Sequence, residues 1–106
     1  MDNFKIIYRI LKALEIAMDA DEFDMDMISA ERLKITENRW TALMAQLVEN
    51  GYVSGISVRQ SIDGNKTVSV SNPVITLKGL EYLEENSLMK KAAKVAKGIK
   101  DIVPGL

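Results

Sequence analysis

Apolar residues recur with two different periods along this chain, and the period changes at Gly51. Before that point, apolar residues in the run Thr36–Gly51 have the spacing of one helix face: Trp40, Leu43, Met44, Leu47 and Val48. Thr36 is a suitable N-cap for this helix, and Gly51 suits the left-handed position just past its end. From Tyr52 the apolar residues fall on alternate positions, which indicates a strand. The pattern therefore predicts a helix that passes directly into a strand.

A longer amphipathic helix is predicted near the start of the chain, over Asn3–Asp19, with Asp2 or Asn3 as its N-cap. It carries two adjacent apolar stripes, one made of Phe4, Ile7, Leu11, Leu14 and Met18 and the other of Ile6, Ile10, Ala13 and Ala17. Together the stripes cover about half of the helix, more than the ~100° stripe of a one-sided surface helix. We therefore expect this helix to contact the core and a second surface.

The acidic segment Ala20–Met27 is predicted to be a loop, with a short strand near Phe23–Met25 as an alternative. Its spaced aspartates, together with Asp19, suggest calcium binding. An EF-hand loop, however, needs oxygen ligands at positions 1, 3 and 5, glycine at 6 and glutamate at 12. Neither Asp19 nor Asp24 as the first ligand meets that pattern, so we expect solvated charge and no metal site.

Ser29 can cap a short helix over Ala30–Lys34, and Ile35-Thr36 then forms a tight turn into the next helix. Two helices this close are typical of a helix-turn-helix motif, although any αα-corner has the same pattern. The residues beyond Gly51 favour the motif with a wing, because Asp63-Gly64 marks the turn of a β-hairpin. A three-residue loop, Ile62–Gly64, would pair apolar residues across the hairpin: Val58 with Val68, Ile56 with Val70 and Tyr52 with Val74. Pro73 places the returning strand at an edge.

Thr76 can cap a further helix, LKGLEYLEEN, which we expect Asn86-Ser87 to break or bend. A basic amphipathic helix is predicted from Leu88 onward, so we divide the chain into a winged-helix domain, 1–87, and a C-terminal helix, 88–106. The second helix carries an apolar seam with the 4–3 spacing of a coiled coil: Leu88, Ala92, Val95, Ile99 and Ile102. We expect this seam to pack on the second stripe of the first helix, in the same chain or in a second copy as a homodimer. A membrane surface is the less favoured alternative, because the apolar side lacks Trp and Phe.

These elements predict an α+β winged helix-turn-helix fold with a three-helix core, a two-stranded β-wing and two C-terminal helices. The predicted core contains Leu11, Leu14, Trp40, Leu43, Leu47, Ile56, Val70 and Leu83. With LVENGYVSGI and the lysine-rich ending, the segment ITLKGLEYLEEN resembles the YjcQ-type family of short bacterial and phage proteins. The resemblance implies a winged-helix domain with no known enzymatic activity and no established ligand.

Composition limits the chemistry that this chain can perform. Histidine and cysteine are absent from all 106 residues, which removes the commonest general base, the commonest metal ligand and thiolate sites. No glycine-rich phosphate loop and no activated serine is present, so we expect no enzymatic activity and no cofactor. The start, MDNFKIIYRI, lacks a signal-peptide pattern, and no apolar run is long enough to cross a membrane. A cytoplasmic protein is expected.

DNA binding is the leading functional hypothesis, by analogy of fold. The candidate contacts lie on the outer face of the predicted recognition helix and in the wing: Thr36, Asn38, Arg39, Thr41, Gln46, Arg59 and Lys66. Asn and Gln side chains can bind adenine, and Arg39 most simply meets phosphate. The net charge of −1 is less basic than a dedicated DNA-binding domain usually carries.

The leading hypothesis is thus a DNA-binding or transcription-regulatory module of bacterial or phage origin. The alternative function is a protein-interaction adaptor that uses the winged-helix scaffold without binding nucleic acid. Ala42 and Ala45 are expected to leave the recognition helix flat enough for contact with a protein partner.

Overall fold

The computed structural model describes residues 2–98, and for residues 88–98 it describes the backbone alone. Four α-helices, a short 3₁₀ helix and two strands follow one another: α1 (Asn3–Ala17), 3₁₀ (Met25–Ile28), α2 (Ala30–Leu33), α3 (Glu37–Glu49), β1 (Val53–Gln60), β2 (Lys66–Ile75) and α4 (Leu77–Gly98). β1 and β2 pair antiparallel and form the wing. The order is that of an α+β winged helix-turn-helix, as the sequence predicts.

Both ends of α3 have the caps that the sequence predicts. At the start, the Thr36 hydroxyl accepts a hydrogen bond from the Arg39 amide at 3.1 Å. At the end, Gly51 adopts a φ of +79°. Its amide donates to the Val48 carbonyl at 3.0 Å, while the Tyr52 amide donates to the Leu47 carbonyl at 2.9 Å. This pair of bonds is a Schellman motif, and it turns the chain straight into β1.

The core forms where α1, α3 and the base of the wing meet. The structure buries six of the eight predicted core residues, and the other two, Trp40 and Val70, are half-buried against them. In α1, the second apolar stripe is not spare, because Ile6 and Ile10 are fully buried. Phe4 and Met18 of the first stripe are instead 66% and 60% exposed. The prediction that the second stripe is an acceptor surface is therefore wrong, since the core-facing direction of α1 lies between the two stripes.

Trp40 connects α3 to the segment that precedes α2. Its indole nitrogen donates a hydrogen bond to the Ile28 carbonyl oxygen at 2.7 Å. Ile28 is itself buried, so the bond satisfies a carbonyl group that water reaches poorly. The ring thus supplies both apolar packing and a polar link between α3 and the 3₁₀ helix that precedes α2.

The wing follows the predicted pairing in its outer half and departs from it near its base. Val58 pairs with Val68 and Ile56 pairs with Val70, as predicted. The strands are joined by the predicted three-residue loop, in which Gly64 has a φ of +90°. The predicted pair Tyr52–Val74 is wrong, because Val53 pairs with Ile75 instead.

A bulge explains this difference. Gly55 alone faces the three residues 71–73, which shifts the register between Ser54 and Ile56. Gly55 has a φ of +77°, and a Cβ there would overlap the backbone carbonyl of Asn72. The bulge turns both Val53 and Ile75 into the core.

The acidic segment contains turns and a 3₁₀ helix, so the alternative of a strand over Phe23–Met25 is wrong. Asp24 caps the 3₁₀ helix by accepting from the Asp26 amide at 3.0 Å, and Asp26 forms an ion pair with Arg32 at 3.2 Å. Short carboxylate side chains bind nearby backbone amides in this way and so compete with strand pairing. Ser29 caps α2 as predicted, through the Arg32 amide at 3.1 Å.

α4 is one uninterrupted helix, so the prediction of two separate C-terminal helices is wrong. Asn86 does not cap a new helix, because its side-chain amide donates to the Tyr82 carbonyl of the same helix at 2.8 Å. The predicted boundary at residue 87 stays a prediction, and Ile99 and Ile102 of the apolar seam lie outside the described residues.

Replacing Trp40 by Phe should lower the free energy of unfolding by about 1–2 kcal/mol, because the Ile28 carbonyl loses its donor. Trp40→Ala should cost more, about 3 kcal/mol, since it also removes apolar packing. Urea unfolding followed by far-ultraviolet circular dichroism measures both, because Trp40 is the single tryptophan and fluorescence is lost with it. A Trp40→Phe variant as stable as the original protein would contradict a role for the indole hydrogen bond.

Gly55→Ala should destabilise the wing by more than 2 kcal/mol, roughly the left-handed backbone penalty plus overlap with the Asn72 carbonyl. Gly64→Ala is the matched control, because Gly64 also has a positive φ but faces open space. It should cost about 1 kcal/mol. Urea unfolding again measures both, and similar costs would show that the bulge does not require a missing side chain.

Candidate nucleic-acid interface

α3 presents a polar ridge to solvent on the side away from the core. Asn38, Ala42 and Gln46 follow one another at intervals of four residues, and all three are exposed. Arg39 is exposed beside them. The ridge therefore combines two amide side chains, one methyl group and one guanidinium on the second helix of the helix-turn-helix.

One side of α3 is covered by the wing, which changes two of the sequence predictions. Ala45 is buried, with 1% of its surface exposed, and Thr41 is half-buried. The prediction that Ala45 lies on the outer face is wrong, because β1 and β2 pack against that side of α3. The flat surface expected from Ala42 and Ala45 together is therefore absent.

Two cations lie near the N-terminus of α3, Lys34 in the turn before it and Arg39 in its first turn. Lys34, Ile35, Thr36 and Arg39 line a surface depression of about 370 Å³ at the N-terminus of the helix. Lys34 ends α2 in a left-handed conformation with a φ of +59°, and its amide donates to the Glu31 carbonyl at 3.1 Å. Because a helix N-terminus carries partial positive charge, this depression favours anions.

Lys34 was not among the candidates that the sequence suggested. Its place beside Thr36 and Arg39 depends on the left-handed turn at the end of α2, which the helix pattern does not reveal. The sequence feature that could have identified Lys34 is a cation immediately before the two-residue turn of a helix-turn-helix.

The two wing cations lie on opposite faces of the hairpin. The Lys66 ammonium forms an ion pair with Glu49 at 3.3 Å, which joins the start of β2 to the end of α3. Arg59 is one residue out of phase with Val58 and pairs with Thr67. Because neighbouring residues of a strand point to opposite faces, Arg59 lies on the face away from α3. The structure therefore places these two candidate DNA contacts on different faces of the wing, and DNA contact by either residue stays a prediction.

The wing tip holds Ile62 fully in solvent on a well-bonded loop. The Ser61 amide donates to the Asn65 carbonyl at 2.8 Å, and the Gly64 amide donates to the Ser61 carbonyl at 2.9 Å. The Asp63 carboxylate accepts from the Ser61 hydroxyl and from the Asn65 amide. These bonds, first that of the Ser61 hydroxyl, hold the pKa of Asp63 below its ordinary value of 3.8.

A shallow apolar groove lies between α1, the end of α3 and the start of α4. Its volume is about 380 Å³, and its lining includes Phe4, Ile7, Leu43, Tyr52 and Tyr82. The two tyrosine rings meet edge to face, with centroids 5.5 Å apart, and burial raises the pKa of Tyr82. The groove is therefore mainly apolar, with the exposed Phe4 in its lining and Asn3, Gln46 and Asn50 as its polar lining residues.

Residues 2–98 contain neither a candidate metal site nor a candidate membrane-spanning helix. No group of three or more carboxylates there is placed to hold a metal ion. Asp24 and Asp26 of the acidic segment instead serve the 3₁₀ cap and the Arg32 ion pair. No helix of this described part is long and apolar enough to cross a membrane.

Replacing Ser61 by Ala should raise the pKa of Asp63 toward 3.8, because the Ser61 hydroxyl is the strongest cause of its low value. A carboxyl group with a lowered pKa stabilises the folded loop at pH values above its unfolded pKa, and this contribution is lost as the pH falls through the lowered pKa. Carbon-detected NMR titration of the carboxyl group measures the change. An unchanged pKa in the variant would contradict the assigned cause.

Comparison with known proteins identifies the family to which this fold belongs. The model of the YjcQ protein family matches residues 8–102, nearly the whole chain. No curated protein and no solved structure matches the chain. The match extends from the first turns of α1 through the helix-turn-helix, the wing and α4. The chain is therefore a member of the YjcQ protein family.

Proposed function

We propose that this YjcQ-family protein is a non-enzymatic regulatory module that binds double-stranded DNA through α3 and the wing. The observation that carries the proposal is the convergence of Lys34 and Arg39 on the N-terminus of a helix whose outer ridge is polar and exposed. The second helix of a helix-turn-helix enters the major groove with its N-terminal residues toward the bases. A cationic N-terminus fits that approach, because it meets the phosphates that border the groove.

Each residue of the surface has a distinct role in this proposal. Lys34 and Arg39 bind phosphate at the α3 N-terminus, which fixes the position of the helix without reading sequence. Asn38 and Gln46 read base edges, since amide side chains bind adenine with two hydrogen bonds, and Ala42 contacts a thymine methyl group. Arg59 binds phosphate from the outer face of the wing.

Carboxylates limit the strength of this interaction. Glu37 is exposed on α3, and Glu49 is paired with Lys66, so that lysine contributes little net charge. With Lys34, Arg39 and Arg59 as phosphate contacts, the logarithm of the association constant should fall with the logarithm of salt concentration at a slope of about −3. We therefore propose moderate affinity in which base contacts carry most of the selectivity.

The experiment selects target duplexes from a random pool and then measures binding of labelled DNA by fluorescence anisotropy at several salt concentrations. Lys34→Ala and Arg39→Ala should weaken binding to every duplex and reduce the salt slope by about 1 each. Asn38→Ala and Gln46→Ala should leave the slope unchanged and reduce discrimination at single base pairs by about 1–3 kcal/mol.

Lys5→Ala is the matched control, because it removes an exposed lysine from α1, away from the proposed surface. It should change binding by no more than a general loss of one charge. Equal effects of Lys5→Ala and Lys34→Ala, or binding that does not depend on salt, would exclude α3 as the DNA-binding element.

A protein-interaction role is the second candidate function, and the apolar groove is the observation that favours it. Phe4 is 66% exposed beside Tyr52 and Tyr82, an arrangement suited to an apolar side chain of a partner protein. Phe4→Ser should abolish such binding and leave DNA affinity unchanged. Lys34→Ala should instead weaken DNA binding and leave partner binding unchanged, and this contrast would separate the two functions.

A further inference from the structure

Because α4 is one continuous helix, the angular positions of residues in its second half follow from those in its first half. In the first half, Leu83 and Gly79 are buried against the domain, whereas Glu81, Glu84 and Glu85 are exposed. Since the backbone is helical without interruption to Gly98, each later position lies at a known angle to Leu83, about 100° further per residue.

The apolar seam falls on the outward side of this helix. Positions 88, 92 and 95 lie about 120–180° from Leu83, on the face that the exposed Leu77 and Glu81 share. Positions 90, 94 and 97, all lysines, lie within about 40° of the direction of Leu83. The residue types therefore exchange beyond residue 87: the helix angle shared with Leu77 and Glu81 holds apolar residues, and the angle shared with Leu83 holds lysines.

We infer that the second half of α4 is a self-association surface, and that its occupant is the same surface of a second copy of this chain. The spacing of Leu88, Ala92 and Val95 is that of a coiled-coil seam, which complements another helix with the same spacing. Ala92 allows two helices to approach closely. The inference goes beyond the proposed DNA binding and does not depend on it.

The charges around the seam permit two copies to meet. The flanking positions of the described part hold Met89, Ala96 and Gly98, so Lys91 is the flanking residue there that brings like charges together. The remaining lysines of this stretch occupy the far side. On the N-terminal side of Leu88 the apolar seam does not continue, because Glu81, Glu84 and Glu85 are charged. The proposed surface therefore begins just after the winged-helix domain.

Two other occupants fit this arrangement less well. The chain's own domain is the less fitting occupant, because along the continuous helix the seam positions lie at the same angle as the exposed Leu77 and Glu81. A membrane surface requires lysines that reach the headgroups from the edges of the apolar face. Here three of the four lysines at positions 90–97 occupy helix positions nearly opposite the seam positions.

The absence of cysteine from the chain allows a direct test with single-cysteine variants of the full-length protein. Ala92→Cys places a thiol in the seam with little change in size, and Lys94→Cys is the matched control on the opposite face. Under mild oxidation without DNA, Ala92→Cys should form a covalent dimer rapidly. Lys94→Cys should form it at least tenfold more slowly.

Light scattering gives an independent measurement on the chain without cysteine. We expect a mass twice that of one chain, unchanged in Lys94→Glu and reduced to one chain in Val95→Glu, with circular dichroism showing that both variants keep their helix content. A full-length protein that stays monomeric at its highest soluble concentration would overturn the inference. Equal crosslinking of Ala92→Cys and Lys94→Cys, or a Val95→Glu variant that still dimerises, would overturn it too.

Discussion

The junction between α3, the wing and α4 is the constraint on which the rest of this structure depends. The Thr76 hydroxyl donates to the Gly51 carbonyl, and the Thr76 amide donates to the Tyr52 carbonyl at 3.1 Å. The same hydroxyl accepts from the Gly79 amide at 3.1 Å and so caps α4. One threonine therefore joins the residues that connect α3 to β1 with the start of α4. A side chain on Gly79 would overlap the Tyr52 carbonyl, which is why α4 can approach so closely here.

The sequence predicted those parts of the fold that local chemistry determines. The caps of α3, the three-residue wing loop and the pairs Val58–Val68 and Ile56–Val70 all follow from periodicity and turn residues within a few positions. The bulge at Gly55 was missed, because strict alternation contains no sign of the extra residues opposite it. The direction of α1 was missed for a similar reason: two adjacent stripes define a wide apolar face, and only packing decides which part of that face meets the core.

The candidate surface was predictable to the same extent. The period of α3 places Asn38, Arg39 and Gln46 outside, as the structure shows. The burial of Ala45 was not predictable from that period, because the neighbour that covers it is a distant hairpin. The pairing of Lys66 with Glu49 likewise depends on how the wing leans, and seventeen residues separate the two in sequence. When a different helix or strand covers a side chain, the periodicity of the side chain's own helix or strand does not predict its burial or its contacts.

The ion pair between Glu49 and Lys66 has a consequence for how a protein with this surface would behave in a genome. On the proposed role, it neutralises one of the few cations beside α3, so that Lys66 attracts an approaching duplex only weakly. Contacts with bulk DNA of arbitrary sequence depend almost wholly on positive charge, so they should be brief. Occupancy is decided by the ratio of specific to non-specific affinity multiplied by the number of competing sites. A nearly neutral surface raises that ratio because it weakens binding to non-specific sites, so the protein would spend little time bound to non-target sequences.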